Sequence, residues 1–598
     1  MSRLKKTDRA RLTSLAEEML AEARTGQSDR ILCSNGFARS NISILHQQMR
    51  CANLVWALKF TNKLKPGDVV GVIGGSFSGL MLATALAMCN DVTVYIFEKE
   101  RRLMQRFLDK SHRFIAPNLN SRSLQYAFHP TLGEPFYKPP IFDWEEGSTS
   151  GVASDWVNEF RRYAEKLPIF CFLGIEVEAR HVRFRRNSLL IEFDELADGL
   201  RSASIPVNWL IDATGFGPEI NPHGLTDFSY WNSGHRLIYD HLPPRSRVLV
   251  SGCGDSGLVE LMHYALKDFS HDHIEVFWPP APSLDITIDQ NLERASFDDI
   301  TSYPDGDPDN RSLIAELNWF FGICRNGAEG YFLGPSHLDK RRSAVFNALE
   351  RAFLKAARQR FKELRKGRWQ AYLEILPEMS VEEQTAIRSA ASPLIDELSS
   401  VAIKEAMAGI DLSKILRMKN LHGQARPNIE IVLNGVTPTP FTRQLSPFNV
   451  WLMHMMQSFP NVTYRQGNLE TVVPLQDGKY KVRFADGGED TFDRVVTRYG
   501  PSGGTQGPLF SRHAQGEPMG WLLCSPVYVR QRGEMRRWID LAKDVIAAGR
   551  VRLVTRRTSR VPDHHVDKDS FLFAVKAPPS SSGSWAPHTA RLSADSCK

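Results

Sequence analysis

Two stretches of the chain combine an apolar strand pattern with a glycine-rich turn and an apolar helix pattern. In the first stretch, residues 69–73 are valine, isoleucine and glycine, and residues 80–86 are almost entirely apolar. Between them lies the turn sequence Gly74-Gly75-Ser76-Phe77-Ser78-Gly79. A short β-branched run predicts a buried strand, and small residues directly after it predict a tight turn into a helix. A second strand pattern at residues 92–97 ends on Glu98, 24 residues after Gly74.

This order of strand, turn, helix, strand and acidic residue is typical of a dinucleotide-binding βαβ unit. The N-terminus of the helix offers N–H groups to a pyrophosphate, and the carboxylate accepts hydrogen bonds from ribose hydroxyls. The second glycine of the usual fingerprint is replaced by Ser76. Serine is small and adds a hydroxyl donor, so we expect the site to be retained. A structural turn without a ligand is the alternative.

The second stretch repeats the pattern with all three fingerprint glycines. Residues 247–251 predict a strand, the turn reads Gly252-Cys253-Gly254-Asp255-Ser256-Gly257, and residues 258–266 have helical apolar periodicity. Residues 274–278 predict the neighbouring strand. That segment ends in Pro279-Pro280, with neither the acid that holds a ribose 2′-hydroxyl nor the arginine that accepts a 2′-phosphate. The nucleotide therefore stays open between NADH, NADPH and none, and we expect poor discrimination between the first two.

The segments after the two turns also correspond. Residues 169–215 alternate as a short β-meander and end in Ala213-Thr214-Gly215, and residues 462–500 do the same and end in Thr497-Arg498-Tyr499-Gly500. Two copies of βαβ plus meander indicate an internal duplication. The predicted fold class is α/β, with two Rossmann-like dinucleotide-binding domains, each with a β-meander, and a mostly helical insertion in the second.

These motifs resemble the FAD/NAD(P)-binding superfamily, which includes the flavin-containing monooxygenases and the pyridine-nucleotide oxidoreductases. The resemblance covers about half of the chain. It implies that the first turn binds FAD through Gly74, Gly75, Ser76, Phe77, Ser78, Gly79 and Glu98, with Thr214 and Gly215 behind it. It implies that the second turn binds NADH or NADPH through Gly252, Gly254, Asp255, Ser256 and Gly257.

The chain also departs from that superfamily. None of its eight cysteines lies within three residues of another, which argues against dithiol chemistry. The monooxygenase fingerprint Phe-x-Gly-x-x-x-His is absent as written, although His235 lies roughly where its histidine would fall. We expect a loop histidine without a role there. The sequence assigns no catalytic acid or base.

Length and composition define the broad class. A chain of 598 residues is too long for one core, and its 42% hydrophobic and 24% charged residues are typical of a globular protein. The charged N-terminal segment, the lack of an 18-residue apolar run and the scattered cysteines predict a cytoplasmic protein with no membrane span. The net charge of +6 is small for this length and does not indicate a nucleic-acid partner.

Six segments are predicted along the chain. They are an N-terminal segment (1–65), an FAD-binding domain (66–245), an NAD(P)-binding-like domain (246–280 and 416–505), a helical insertion (281–415), a C-terminal return segment (506–576) and a disordered tail (577–598). The insertion could act as a lid or as a surface for a protein partner.

Several polar and aromatic groups have two interpretations. We expect surface or capping roles for Gln47, Gln48 and Arg50, with lining of the flavin site as the alternative. The aromatic loops at 113–120 and 139–144 are expected to plug a core, with shielding of the flavin ring as the alternative. No metal site is predicted, since a calcium-like acidic pattern at 305–316 lacks the turn glycine and the cluster at 563–569 adjoins the tail.

The predicted function is an FAD-dependent oxidoreductase that accepts hydride from NAD(P)H and acts on a small-molecule substrate, with a monooxygenase as one form. The alternative is a sensor or assembly protein in which the nucleotides are structural or regulatory. The missing fingerprint, the altered second nucleotide strand and the long insertion favour that alternative.

Overall fold

The structure is a computed structural model, and most of the two predicted nucleotide-binding regions is described. The described residues are 6–25, 28–34, 44–117, 140–186, 188–192, 204–215, 219–225, 230–231, 242–277, 351, 393, 396–397, 400–401, 404, 425–426, 428–442, 445, 447–500 and 529–547. His235, the acidic patterns at 305–316 and 563–569, the tail and most of the insertion lie outside them.

The secondary-structure elements follow the chain in this order. The helices are α1 (Lys6–Ala23), α2 (Ile44–Phe60), α3 (Phe77–Cys89), α4 (Gln105–Leu108), α5 (Thr149–Ala164), α6 (Asp255–Ala265), α7 (Pro447–Gln457) and α8 (Val529–Ala547). The strands are β1 (Ile31–Cys33), β2 (Val69–Ile73), β3 (Thr93–Glu98), β4 (Phe114–Ile115), β5 (Gly147–Ser148), β6 (Ile169–Leu173), β7 (Val182–Phe184), β8 (Leu189–Glu192), β9 (Ser204–Val207), β10 (Trp209–Asp212), β11 (Arg247–Ser251), β12 (Glu430–Gly435), β13 (Val462–Gln466), β14 (Leu469–Pro474), β15 (Tyr480–Phe484), β16 (Glu489–Phe492) and β17 (Arg494–Thr497). Short 3₁₀ helices span Ala179–His181 and His271–Phe277.

The chain divides into two compact units. The first comprises 1–111, 132–217 and 502–598, and the second comprises 112–131 and 218–501. Residues 218–245 thus belong to the unit that contains the second turn.

The first unit contains a five-stranded parallel sheet with the order β1-β10-β2-β3-β6. Strands β7, β8 and β9 form an antiparallel meander between β6 and β10. Helix α3 is buried at every position except Ala87, as expected for a helix that is apolar on all sides. The predicted βαβ unit and meander are confirmed here.

The second unit repeats this topology with a four-stranded parallel sheet of order β13-β12-β11-β17. Strands β14, β15 and β16 form its antiparallel meander between β13 and β17. The strand order β6-β3-β2-β10 in the first unit matches the order β13-β12-β11-β17 in the second. The structure therefore confirms two Rossmann-like folds, each with a meander.

One predicted strand is wrong. Residues 274–278 were expected to pair with β11, but His271–Phe277 is a 3₁₀ helix, and β12 takes that place in the sheet. Ile274 and Phe277 are buried while Val276 is 58% exposed. The two apolar side chains are three residues apart, so one 3₁₀ turn brings both to the core. The predicted insertion consequently lies inside the βαβ crossover, between α6 and β12.

Ser400, in the predicted insertion, contacts the second fold. The Ser400 side chain is fully buried, and its hydroxyl accepts a hydrogen bond from the Thr439 amide (3.1 Å). The Thr439 hydroxyl in turn donates to the Ser400 carbonyl (2.8 Å). This contact holds the loop that follows β12.

Candidate functional site

The first glycine-rich turn requires glycine at two positions. Gly74 has a φ of +106°, and a Cβ there would lie 2.6 Å from the carbonyl oxygen of Ala213. A Cβ at Gly79 would overlap the carbonyl oxygen of Gly74. These contacts bring the end of β2, the start of α3 and the end of β10 together at the carboxyl edge of the sheet. This edge, where the strand order reverses, is where open α/β sheets bind ligands.

The residues between those glycines play different parts. Ser76 is the N-cap of α3, is half-buried in extended conformation, and makes no side-chain capping hydrogen bond. The first amides of α3 therefore have neither an intrahelical partner nor a capping side chain from Ser76. Phe77 is buried and packs edge-on against Trp156, with ring centroids 4.9 Å apart. Ser78 is also buried. Phe77 thus anchors the turn in the core.

Glu98 lies directly beside this turn. Its Oε2 accepts a hydrogen bond from the Gly75 amide (2.5 Å), and its Oε1 accepts one from the Glu100 amide (2.8 Å). Burial raises the pKa of the Glu98 carboxyl group, and these two amide hydrogen bonds oppose that rise. Each carboxylate oxygen has a further lone pair, so Glu98 can still accept a ribose hydroxyl.

The end of β10 is shaped by an aspartate that sequence reasoning missed. The Asp212 side chain is fully buried, and its Oδ1 accepts hydrogen bonds from the Thr214 amide (3.0 Å) and hydroxyl (2.7 Å). Thr214 itself is exposed, and Gly215 has a φ of +96°. Asp212 stands two residues before Thr214, which is the spacing of an Asx turn, and this spacing was the signal in the sequence that could have identified it.

The expectation of surface or capping roles for Gln47, Gln48 and Arg50 is wrong, because all three side chains are buried. Gln48 donates to the Phe142 carbonyl (2.8 Å) and accepts from the Trp144 indole (2.7 Å). These contacts fix α2 against the loop before α5.

Arg50 also reaches the carboxyl edge of the sheet. Its Nε donates to the carbonyl of Ser34, just after β1 (2.8 Å), and the Ser34 hydroxyl donates to the Asp212 carbonyl (3.0 Å). Phe142 is buried and stacks on Trp156, with ring centroids 4.5 Å apart. The described part of the aromatic loop at 139–144 therefore plugs a core, as expected.

The second turn has the same construction as the first. Gly252 has a φ of +119°, and a Cβ there would overlap the carbonyl oxygen of Arg498, while a Cβ at Gly257 would overlap the carbonyl oxygen of Gly252. Gly254 is the N-cap of α6, with φ −82° and ψ −176°. The Asp255 carboxylate in the first turn of α6 accepts a hydrogen bond from the Asn449 amide (2.8 Å).

Backbone hydrogen bonds confirm that the two turns correspond position by position. The Gly74 amide donates to Phe97 (2.8 Å), and the Gly252 amide donates to Asn434 (2.9 Å). The amides of Ala213 and Arg498 donate to the last residues of β2 and β11, at 2.8 and 2.7 Å. Arg498 therefore stands where the first unit has Ala213, with Tyr499 and Gly500 in the places of Thr214 and Gly215.

A buried cluster of charged side chains surrounds Arg498, and sequence reasoning missed it. The side chains of Arg498, Glu260 and Arg113 are fully buried, and Glu219 is largely buried. Glu260 lies 2.7 Å from Arg498 and 3.4 Å from Arg113, and Glu219 lies 3.8 Å from Arg498. The Arg113 guanidinium stacks 3.9 Å above the Tyr230 ring. The sequence held two signals for this cluster: Glu260 interrupts an apolar helix pattern, and Arg498 follows an apolar strand pattern.

Burial controls the protonation of the groups in and around this cluster. Burial raises the pKa of Glu219, and the Arg498 guanidinium lowers it in part. Burial also raises the pKa of Tyr230 to about 12. His263, one turn further along α6 from Glu260, has its pKa lowered by burial to about 3.

The described residues offer no further site for a metal ion, a disulfide or a membrane span. No group of three or more His, Cys, Asp or Glu side chains in the described residues could hold a metal ion. The cysteines at 33, 51, 89, 171 and 253 are buried and form no disulfide. None of the described helices is long and apolar enough to cross a membrane.

No protein-family model and no curated protein matches the chain. Solved structures with partial likeness include the lysine monooxygenase NbtG from Nocardia farcinica (12% identity, 73% of this chain and 80% of that chain, TM-score 0.31). A mutant flavin monooxygenase from Stenotrophomonas maltophilia matches at 13% identity (81% and 100%, TM-score 0.32). Cyclohexanone monooxygenase from Rhodococcus sp. Phi1 bound to NADP⁺ matches at 14% identity (80% and 85%, TM-score 0.31). Likeness at these identities and TM-scores establishes neither a shared fold nor a shared function.

Proposed function

We propose that the chain is an FAD-dependent oxidoreductase that takes hydride from NADH or NADPH. FAD binds at the first turn and the nicotinamide nucleotide at the second. The observation that carries this proposal is the repeated construction of the turn. Each unit ends its first strand at a left-handed glycine, starts a helix without a side-chain cap, and places both at the switch point of a parallel sheet.

The residues of the first turn fit a dinucleotide. Gly74 and Gly79 allow no side chain, so the backbone of the turn is tight and its amides lie at the start of α3. A pyrophosphate is favoured there because unpaired amides and the helix dipole both attract negative charge. Glu98 is held in place by two amide donors and is the acceptor for a ribose hydroxyl. Thr214 and Gly215, at the end of β10, lie on the other side of the turn.

The second turn fits a dinucleotide in the same way. Gly252, Gly254 and Gly257 form the backbone cradle, and the dihedral angles at Gly254 are those of ordinary extended chain. These backbone angles do not require a glycine at position 254. The lack of a side chain there is explained by the need for a phosphate to approach the backbone closely.

The protein's own contribution is orientation and electrostatics, and FAD, when bound, supplies two-electron chemistry. We favour oxygen as the terminal acceptor, with a small organic molecule as the co-substrate, because the sequence has no Cys-x-x-Cys pair for dithiol chemistry.

The identity of the bound flavin tests the proposal. Purified protein should be yellow and should release FAD on denaturation, since Glu98 is placed for an adenosine ribose. Glu98→Ala should lower the FAD-to-protein ratio after gel filtration, because it removes a charge-assisted hydrogen bond worth about 1.5–3 kcal/mol. Glu176→Ala is the matched control, since Glu176 is exposed and pairs only loosely with Lys99 (3.8 Å). Release of FMN, or colourless protein that cannot be loaded with FAD, would contradict the proposal.

A further inference from the structure

Because the two units share one topology, each residue of the second turn can be compared with the residue at the same position of the first turn. Strand β2 pairs with β3 so that Ile73 faces Phe97, and β11 pairs with β12 so that Ser251 faces Asn434. One residue further along, Gly435 in the second unit occupies the position of Glu98 in the first. By the same register, Cys253 occupies the position of Gly75.

The corresponding pairs Gly75–Glu98 and Cys253–Gly435 fill the space beside the turn from opposite members of the pair. In the first turn, Gly75 has no side chain, and the Glu98 carboxylate lies against its amide. A Cβ added at Gly75 would lie 3.1 Å from Glu98 Oε2. In the second turn, the strand residue Gly435 has no side chain, and a Cβ there would lie 2.6 Å from Cys253 Sγ. The space next to the turn is therefore filled by a carboxylate in one unit and by a thiol in the other.

The thiol cannot replace the carboxylate chemically. Cys253 is buried, and its Sγ donates to the Asn434 carbonyl (3.4 Å). Burial raises the pKa of the Cys253 thiol to about 12, so it carries no charge at neutral pH. An acidic side chain at this position selects NAD over NADP in two ways, by accepting a hydrogen bond from the ribose 2′-hydroxyl and by repelling a 2′-phosphate. The uncharged Cys253 thiol does neither effectively.

The neighbouring polar side chain is already engaged. Asn434 Oδ1 accepts from the Ser251 hydroxyl (2.7 Å). Asn434 Nδ2 donates to the carbonyls of Arg465 (3.0 Å) and Gly467 (2.9 Å). Both amide hydrogens are thus used within the fold, and Asn434 has no donor left for a nucleotide.

We propose that the Cys253–Gly435 pair makes the second site indifferent to the 2′ position of the adenosine ribose. This inference rests on the proposed function, because it concerns the nucleotide that binds at the second turn. The site then accepts a 2′-hydroxyl and a 2′-phosphate with affinities within about tenfold of each other.

The test measures Kd values of the FAD-loaded protein for NADP⁺, NAD⁺, 2′,5′-ADP and 5′-ADP, none of which can reduce the flavin, by isothermal titration calorimetry. The wild type should show ratios below about tenfold within each pair of ligands. The double variant C253G/G435E removes the Cys253 sulfur and supplies a carboxylate at the position of Glu98, where a Cβ would still lie 3.1 Å from the Tyr464 hydroxyl, which has to shift slightly. This variant should favour NAD⁺ over NADP⁺ by about tenfold or more, because the new carboxylate repels a 2′-phosphate.

Single variants separate the new carboxylate from general damage. Cys253→Gly alone adds no charge and should leave the ratio unchanged. Gly435→Glu alone should weaken folding, since its Cβ meets the Cys253 sulfur. A wild type that prefers one nucleotide by more than about tenfold overturns the inference while the proposed function stands. A folded double variant with wild-type ratios also overturns it. A wild type that binds none of the four ligands overturns the proposed function as well.

Discussion

Arg498 and Ala213 occupy the same place in the two units, yet one side chain is a methyl group and the other a guanidinium. Their carbonyl oxygens pack against Gly252 and Gly74 in the same way, so the backbone of the turn does not depend on the side chain. Arg498 instead reaches Glu260 on α6. A buried charge is tolerated only when it is paired and hydrogen-bonded, so the two residues depend on each other.

Glu260→Gln should destabilise the protein strongly. The change removes the charge that faces both Arg498 and Arg113 and leaves two buried guanidinium groups with less compensation. Removal of one partner of a buried ion pair costs about 3–5 kcal/mol in the free energy of unfolding. Urea denaturation followed by circular dichroism measures the loss. Glu489→Gln is the control, because its pair with Lys481 is about half exposed and worth roughly 0–1 kcal/mol. Equal losses for the two variants would contradict this account of the cluster.

His263 should make the protein sensitive to mild acid. Its pKa in the folded state is lowered to about 3 by burial, from an ordinary value near 6.5. Between these values the unfolded chain binds more protons than the folded chain, so the contribution of His263 to stability is present above about pH 6.5 and is lost as the pH falls. Thermal unfolding from pH 7 to pH 5 should show this loss. His263→Gln should make the profile less steep, with a remaining slope from buried His271, whose pKa burial also lowers, and exposed His273→Gln should leave the profile unchanged.

At this scale the sequence predicted the glycines but not their charged neighbours. The glycine positions were predictable because local backbone geometry alone requires them. The contacts of Glu260 and Arg498 depend on residues far away in sequence, at 113 and 219, so no local pattern could pair them. Gln48 and Arg50 were misjudged for the same reason, since their partners lie in the loop before α5 and directly after β1.

The N-terminus of α6 contains one glycine that the fold requires and one to which we assign a role in nucleotide binding. A side chain at Gly257 overlaps the carbonyl of Gly252, whereas Gly254 has backbone angles open to any residue. Gly257→Ala should therefore lower the thermal unfolding temperature. Gly254→Leu should fold normally and retain FAD but raise KM for NAD(P)H, because its side chain blocks the phosphate approach. Unchanged KM in folded Gly254→Leu protein would show that no nucleotide approaches this turn.

Elements with a strong periodic pattern were predicted, and the exception has a clear physical cause. Both glycine turns and both meanders agree with the structure. Residues 274–278 have strand-like composition, but the core takes only Ile274 and Phe277. Packing thus outweighed β-propensity, as it often does for short apolar runs.

The whole molecule consists of two units with the same order of parallel strands and the same place for the meander. This repetition was predictable because turn, meander and returning strand recur in the same order along the chain. The strand partner of β11 was not predictable, since a long insertion separates α6 from β12. The shared topology of the two units supports the proposal of a nucleotide at each turn.

Anaerobic mixing of the purified, FAD-loaded protein with NADPH and with NADH in a stopped-flow spectrophotometer tests the central claim most directly. The account predicts that both nucleotides bleach the visible flavin absorption, and that Gly254→Leu requires higher nucleotide concentrations for the same rate. Bleaching that is insensitive to Gly254→Leu would contradict the assignment of the second turn. A flavin that neither nucleotide reduces, even with candidate substrates present, would contradict the oxidoreductase itself and favour a sensor or assembly protein.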